Sequence, residues 1–104
     1  MGMTQLTWLC LDSNRIEDIT PLSGLTQLKN LGLVHNRITD LTPLVGLTQL
    51  IELELGCNKI VNISPLAGMT QLERLSLYSN EIEDLTPLAG MRQLTELITD
   101  KDLL

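Results

Sequence analysis

The feature that constrains this chain most is a 22-residue period that runs through nearly all of its 104 residues. Four full units follow one another without a gap, at 6–27, 28–49, 50–71 and 72–93, and a partial fifth unit covers 94–104. Residues 1–5 are in register with 67–71, so they align with the end of a preceding unit. Self-similarity at this kind of period is typical of a solenoid, and we expect one repeat domain over 1–104.

Each unit has two halves with different hydrophobic patterns. The first half reads L-x-x-L-x-L-x-x-N, and in the first unit Leu9 and Leu11 alternate with Cys10 and Asp12. A period of two predicts a short strand with its leucines on one face. The second half carries a proline, which removes a backbone donor and disfavours the α conformation in the residue before it. We therefore expect an extended segment followed by a 3₁₀ turn or a short helix.

Conserved apolar and amide positions within the units predict how the units pack. Seven positions are apolar in all four full units, and stacked units bury such residues against their neighbours in one core.

An asparagine follows each predicted strand, and its amide can donate and accept hydrogen bonds at once. A structural ladder between turns is the favoured interpretation, and an amide-lined binding row is the alternative. The asparagines are Asn14, Asn36, Asn58 and Asn80.

The motif L-x-x-L-x-L-x-x-N followed by I-x-D-I-T-P-L-x-G-L resembles the leucine-rich-repeat family, and the 22-residue unit looks like its internalin-like class. The resemblance implies an α/β right-handed solenoid with a parallel sheet on the concave face and short 3₁₀ or extended segments on the convex face. It also implies a non-catalytic scaffold whose concave strand face binds a partner, usually a protein. Internalins do this on bacterial surfaces, and a similar repeat class occurs in intracellular regulators of phosphatases.

Variation between the units collects at strand positions that alternate away from the leucines. A uniform scaffold with a varied face is typical of a recognition surface, whereas simple drift of exposed positions is the alternative. Trp8 and Tyr78 are the expected anchors, because aromatic side chains bury a large area. Carboxylates outnumber cations on this face, which favours a protein partner with a basic patch. The predicted partner-binding residues are Trp8, Asp12, Asn30, Val34, His35, Glu52, Glu54, Arg74, Tyr78, Glu96, Ile98 and Asp100.

Charge and hydropathy argue against other classes of partner. The formal net charge is −6, and an acidic chain repels phosphate backbones, so we expect no nucleic-acid partner. The longest apolar run is too short to span a bilayer, so we expect no membrane insertion. No signal peptide precedes the first unit, which favours the cytoplasm; a fragment of a longer chain would fit a cell-surface or secreted protein.

The sequence gives little support for a catalytic or metal-binding site. His35 and Cys57 fall in one column on adjacent strands, but their neighbours Ser13 and Ser79 supply neither an orienting group nor further strong ligands. We therefore expect no enzyme activity, no cofactor and no metal. Cys10 lies about two strand spacings from Cys57, roughly 9.6 Å, which is too far for a disulfide between them.

A row of acidic residues precedes the Thr-Pro or Ser-Pro step of the units. Calcium binding is one interpretation of this row. The favoured one is that each side chain accepts hydrogen bonds from the backbone of its own turn. The row consists of Asp18, Asp40 and Asp84, with Asn62 in the third unit.

The ends of the array suggest an alternative function. A solenoid without caps exposes core leucines and an unpaired strand edge. At the carboxy end Thr99 replaces a core leucine and charged residues follow it, whereas the amino end has no comparable device. The alternative function is that of a self-assembling module, either a homodimer through the amino-terminal end or an end-to-end stack. The array itself could be excised from a longer one, natural or engineered. The predicted self-association residues are Met3, Leu6, Leu9 and Leu11.

Overall fold

The computed structural model describes residues 5–100, and these form one parallel five-stranded sheet in chain order. Met3 lies outside the described residues. Neighbouring strands pair with a shift of 22 residues, so Leu9 lies opposite Leu31 and Leu53 opposite Leu75. This register keeps each repeat position in a single column across the sheet. The strands are β1 (Trp8–Cys10), β2 (Asn30–Gly32), β3 (Glu52–Glu54), β4 (Arg74–Ser76) and β5 (Glu96–Ile98).

The second half of each unit contains a short 3₁₀ helix. Proline occupies the first turn of each one, where its fixed φ suits the helix and its missing N–H leaves no donor unpaired. None of the described helices is long and apolar enough to cross a membrane. The solenoid class is confirmed, with the sheet on the concave face and these helices on the convex face. The helices are Thr20–Leu22, Thr42–Leu44, Ser64–Leu66 and Thr86–Leu88.

The core is a stack of aliphatic layers between the sheet and the 3₁₀ helices. In the third unit Leu50, Leu53 and Leu55 have no exposed surface, because units on both sides cover them. Their counterparts Leu6, Leu9 and Leu11 in the first unit are only half-buried. Leucines of the partial fifth unit, such as Leu94 and Leu97, are half-buried as well. Burial therefore depends on neighbouring units, as expected for a solenoid.

The side chains of Asn36, Asn58 and Asn80 join their own turn to the turn of the preceding unit. The Nδ2 group of Asn58 donates to the carbonyls of Leu55 and Gly56 at 3.0 and 3.3 Å, and to that of Leu33 at 2.9 Å. Its Oδ1 accepts the N–H of Ile38 at 3.0 Å. One amide therefore provides hydrogen-bond partners for backbone groups in two successive units, in the interior of the protein.

The residue before each asparagine adopts a left-handed backbone conformation that could not be predicted from the residue type. Ser13, His35, Cys57 and Ser79 have φ values of 61°, 59°, 58° and 54°. Glycine or asparagine would be the usual choice for such a conformation. The turn still extends the pairing of the sheet, since the N–H of His35 donates to the carbonyl of Gly56 at 3.0 Å. The column of Ser13, His35, Cys57 and Ser79 thus consists of turn residues rather than strand residues.

We expect the substitution Asn58→Ala to lower the free energy of unfolding by about 2–4 kcal/mol, because it leaves several buried backbone groups without partners. The matched control is Asn14→Ala, since Asn14 is exposed and, within residues 5–100, its Nδ2 bonds only to carbonyls of its own turn. The control substitution should lower the free energy of unfolding by less than about 1 kcal/mol. Urea unfolding followed by circular dichroism measures both values. Equal losses in the two variants would contradict the role of the buried ladder.

Candidate functional site

The outward side chains of the strands form columns that run across the concave face. The first column is cross-linked: Asn30 Nδ2 donates to Glu52 Oε1 at 2.8 Å, and the Arg74 guanidinium lies 3.6 Å from Glu52 Oε2 and 3.2 Å from Glu96 Oε1. Exposed ion pairs of this kind stabilise a fold little. Here, together with the Asn30 hydrogen bond, they connect outward side chains of β2, β3, β4 and β5. Trp8 begins the column with 66% of its surface exposed.

The second column alternates long and short side chains and thereby creates two depressions. Gly32 and Ser76 lie on either side of Glu54 in adjacent strands of the register. The depression above Gly32 has a volume of about 230 Å³, and the one at Ser76 about 80 Å³. Trp8 and Asp12 line the larger depression together with Glu54. The predicted partner-binding residues therefore include the walls of a recess as well as a flat strip.

Two of the predicted partner-binding carboxylates also bind the backbone. Asp12 Oδ1 accepts the N–H of Val34 at 2.8 Å, and Asp100 Oδ1 accepts the N–H of Ser79 at 3.0 Å. A β-carbon at position 32 would lie 3.1 Å from Asp12 Oδ1, so glycine gives that carboxylate room. Both aspartates therefore contribute to the scaffold, a role that sequence reasoning did not assign to them.

The two aromatic anchors occupy different environments. The Tyr78 ring lies over Gly56, where an added β-carbon would meet ring atom Cε1. Tyr78 is half-buried as a result, and this burial raises the pKa of its hydroxyl. The neighbouring Cys57 thiol raises the same pKa further, as do the negative charges of Glu54 and Asp12. Of the two predicted anchors, Tyr78 is therefore half-buried against Gly56, whereas Trp8 is exposed.

The other predicted partner-binding residues lie on the same face with different exposure. Ile98 is exposed, His35 is exposed and Val34 is half-buried. Both cysteines are free thiols: Cys10 is exposed and Cys57 is half-buried. Within residues 5–100, no group of three or more His, Cys, Asp or Glu side chains is arranged to hold a metal ion.

The acidic row on the other side of the units binds its own turns. Asp18 Oδ1 accepts the Thr20 hydroxyl at 2.6 Å and the Thr20 N–H at 2.9 Å. These bonds lower the pKa of Asp18, the hydroxyl contributing most, and equivalent bonds from Thr42 lower that of Asp40. The pKa of Asp84 is lowered chiefly by the Thr86 N–H and then by its hydroxyl. The geometry is that of a turn, with the Oδ1 atom of each aspartate bound locally.

An array of stacked units with a parallel sheet on one face and 3₁₀ helices on the other defines a repeat solenoid, a class that generally mediates protein–protein interaction. A family model of two leucine-rich repeats matches residues 4–46 and again 26–68. The chain belongs to the leucine-rich-repeat family, and its units are of the internalin-like class. Members with this fold are typically non-enzymatic interaction modules. No curated protein sequence is significantly similar to the chain.

Solved structures of longer proteins contain the same fold. Internalin C2 of Listeria monocytogenes is 41% identical with a TM-score of 0.93, over 95% of this chain and 44% of that one. InlF of the same organism is 35% identical with a TM-score of 0.91, over 92% and 28% of the two chains. A Leptospira interrogans leucine-rich-repeat protein is 31% identical with a TM-score of 0.86, over 93% and 26%. The chain therefore spans less than half the length of these proteins.

The acidic row generates a prediction about pH. A lowered pKa in the folded protein means that Asp18, Asp40 and Asp84 contribute stability above the unfolded value of about 3.9, and that this contribution is lost as pH falls through the folded pKa. In the triple variant D18N/D40N/D84N, the free energy of unfolding should fall less between about pH 5 and pH 2 than in the wild type. Asn62 already shows that an amide fits, since its Oδ1 accepts the Ser64 N–H at 2.9 Å.

The control for this experiment is E17Q/E81Q/E83Q, which removes the same number of charges from exposed side chains that accept no hydrogen bond within residues 5–100. Urea unfolding over the pH series measures all three proteins. An identical loss of stability on acidification in the wild type and the aspartate variant would show that these turns do not contribute.

Proposed function

We propose that this chain is a non-catalytic module that binds a protein partner on the outward face of its sheet. The observation that carries the proposal is the exposure of a large aromatic and a large aliphatic side chain on the outward face of the sheet. Trp8 has 66% of its surface exposed, and Ile98 on the last strand has 45%. Large exposed side chains of this kind favour an interface.

The arrangement of the face limits the entropy that binding would cost. The Tyr78 ring lies against Gly56, and the Arg74 guanidinium lies between Glu52 and Glu96. Side chains that are ordered before binding lose less freedom when the partner arrives. Such a surface is therefore suited to recognition without a large rearrangement.

The charge of the face supports a partner with a basic patch. Its described outward positions carry five carboxylates and only one arginine, Arg74. A basic partner would be attracted over this surface, and an acidic one would be repelled. The same sign disfavours nucleic acid, as does the net charge of −6 for the whole chain. The carboxylates are Asp12, Glu52, Glu54, Glu96 and Asp100.

The open geometry supports a binding role in preference to catalysis. His35 is exposed and Cys57 half-buried, on a face where water has access to both. Catalysis by such a pair needs an orienting third group and shelter from water. Among solved relatives, a plant peptide hormone receptor in complex with RGF2 is 29% identical, with a TM-score of 0.81 over 93% of this chain and 17% of that one. That complex supports peptide or protein binding as a use of this fold.

A random peptide library displayed on phage tests this proposal. Peptides selected on the wild-type chain should bind the variant W8A/Y78A at least about tenfold more weakly, because aromatic anchors at interfaces commonly contribute more than about 1.4 kcal/mol. The matched control is V45A/V61A, which truncates two exposed side chains outside the strands. Biolayer interferometry gives the affinities. Peptides that lose binding only to the valine variant would place recognition on another surface and contradict the proposal.

A second candidate function is self-association through the amino-terminal end of the 104-residue chain. Leu6, Leu9 and Leu11 are half-buried there, and β1 pairs only with β2 within the described residues. An apolar recess of about 210 Å³ lies beside them, with Leu11 and Ile16 among its lining residues. A second copy of the chain would cover these leucines as a preceding repeat covers them in a longer array.

Analytical ultracentrifugation over a concentration series tests self-association. If the amino-terminal end self-associates, the wild type should form dimers or larger species at high micromolar concentration. The substitution Leu9→Glu introduces a charge at a half-buried leucine of this end and should shift the protein to the monomer. The control Leu97→Glu places the same charge at the equivalent position of the fifth unit. A monomer at all concentrations would eliminate this candidate and leave the binding proposal untouched.

A further inference from the structure

We propose that the depression above Gly32 receives a single arginine side chain of the partner, with Trp8 as the stacking surface and Glu54 as the counter-charge. The inference rests on the proposed function, because it assigns a chemical identity to one contact on the same face. Below, this depression is called the arginine recess and is defined by Trp8, Gly32, Asp12 and Glu54. Its occupant is a guanidinium group on an extended segment of a protein.

The shape of the recess comes from one missing side chain. Gly32 lies between Cys10 and Glu54 in the sheet register, and both flanking residues carry exposed side chains. The resulting volume of about 230 Å³ is open to solvent on the concave side and far exceeds the roughly 30 Å³ that one water occupies in the liquid. The recess can therefore admit a long side chain from a partner that lies across the strands.

The carboxylates around the recess differ in how many hydrogen bonds and ion pairs they already form. Glu52 is already bonded to Asn30 and paired with Arg74. Asp12 has one oxygen on the Val34 N–H, and its charge is not balanced by any ion pair within residues 5–100. Glu54 is exposed and, within the same residues, takes part in no side-chain hydrogen bond or ion pair. Glu54 is therefore the carboxylate best able to accept a new cation.

The electrostatic influence of these groups reaches beyond the recess. The pKa of Tyr78 is raised mainly by burial of its hydroxyl, and the charges of Glu54 and Asp12 add to that rise. Asp12 and Glu54 both line the recess, so their charges act on the same part of the face. A cation placed in the recess would be attracted by both.

Trp8 favours arginine over other occupants. A guanidinium plane stacks on an indole ring and can form two parallel hydrogen bonds with a carboxylate, which an ammonium group cannot do. A purely apolar side chain would cover Asp12 and Glu54 without offering them a partner, which costs free energy. An anionic group would meet the carboxylates at close range. The walls of the recess thus match a flat cation with an apolar stem.

The experiment is an NMR titration of the isotopically labelled chain with the peptide acetyl-Gly-Arg-Gly-amide. A matched peptide with citrulline in place of arginine keeps the shape and removes the charge. The arginine peptide should shift the Trp8 indole and Gly32 amide signals in a saturable way, with a Kd of roughly 10 mM or weaker for one side chain. The citrulline peptide should give no saturable shift at these signals.

Variants identify the groups that bind the probe. Glu54→Gln should weaken binding of the arginine peptide by about two- to fivefold, and Trp8→Leu by a similar factor. The control Glu83→Gln makes the same charge change at an exposed position outside the strands and should leave the Kd unchanged. Equal shifts from both peptides, or an unchanged Kd in Glu54→Gln, would overturn the proposal. So would stronger shifts of the same signals by calcium chloride alone, which would make the recess a cation site.

The outcome is separable from that of the proposed function. If library peptides bind the concave face but the arginine tripeptide does not bind the recess, the binding proposal stands and the arginine assignment fails. If the tripeptide binds with the predicted dependence on Glu54 while selected peptides map to another surface, the recess assignment stands and the broader binding proposal fails.

Discussion

The interaction on which this structure depends is the hydrogen bonding of one asparagine amide to two successive turns. Leucine burial brings the units together but is non-directional, so it does not by itself define how one turn meets the next. Asn36, for example, donates to the carbonyls of Leu33 in its own unit and Leu11 in the preceding one, both at 3.0 Å. It also accepts the N–H of Ile16 at 2.9 Å. This repeated bond keeps the strands in a common register.

A common register has a direct consequence for the outward face. Because every unit presents the same positions at the same height, an outward side chain meets the equivalent side chain of its neighbour. Arg74 can therefore lie between Glu52 and Glu96, and Asn30 can reach Glu52. A residue that changes in one unit alters the contacts of the two flanking units. The contacts of an outward side chain are thus a property of columns rather than of single repeats.

The sequence was sufficient to predict those parts of the structure that depend on periodicity. The leucine alternation located the strands, and the proline positions located the 3₁₀ helices, because each is a local consequence of backbone chemistry. Placement of Leu9 opposite Leu31 follows from the same 22-residue shift. The site residues were assigned to the outward face by the same alternation, and their role in binding remains a proposal.

Features that depend on side-chain conformation could not be predicted in this way. Nothing in the spacing shows that Asp12 turns toward the Val34 N–H, or that the Tyr78 ring lies over Gly56. The left-handed backbone at His35 was also unforeseen, since its usual signal is glycine or asparagine. One weak signal was present: the glycines at positions 32 and 56 stand where other units have larger residues, and both lie beneath or beside a neighbour's side chain.

Gly32 connects the scaffold with the recess above it. Its missing β-carbon leaves space for Asp12, which binds the next turn, and the same absence forms the floor of the recess. Any larger residue there would fill the recess and crowd a carboxylate that the turn uses. Trp8 and Glu54 have no such double role, because both are exposed and can change without disturbing a backbone bond. The depth of the recess is therefore tied to the fold, whereas its chemical preference can change through its walls.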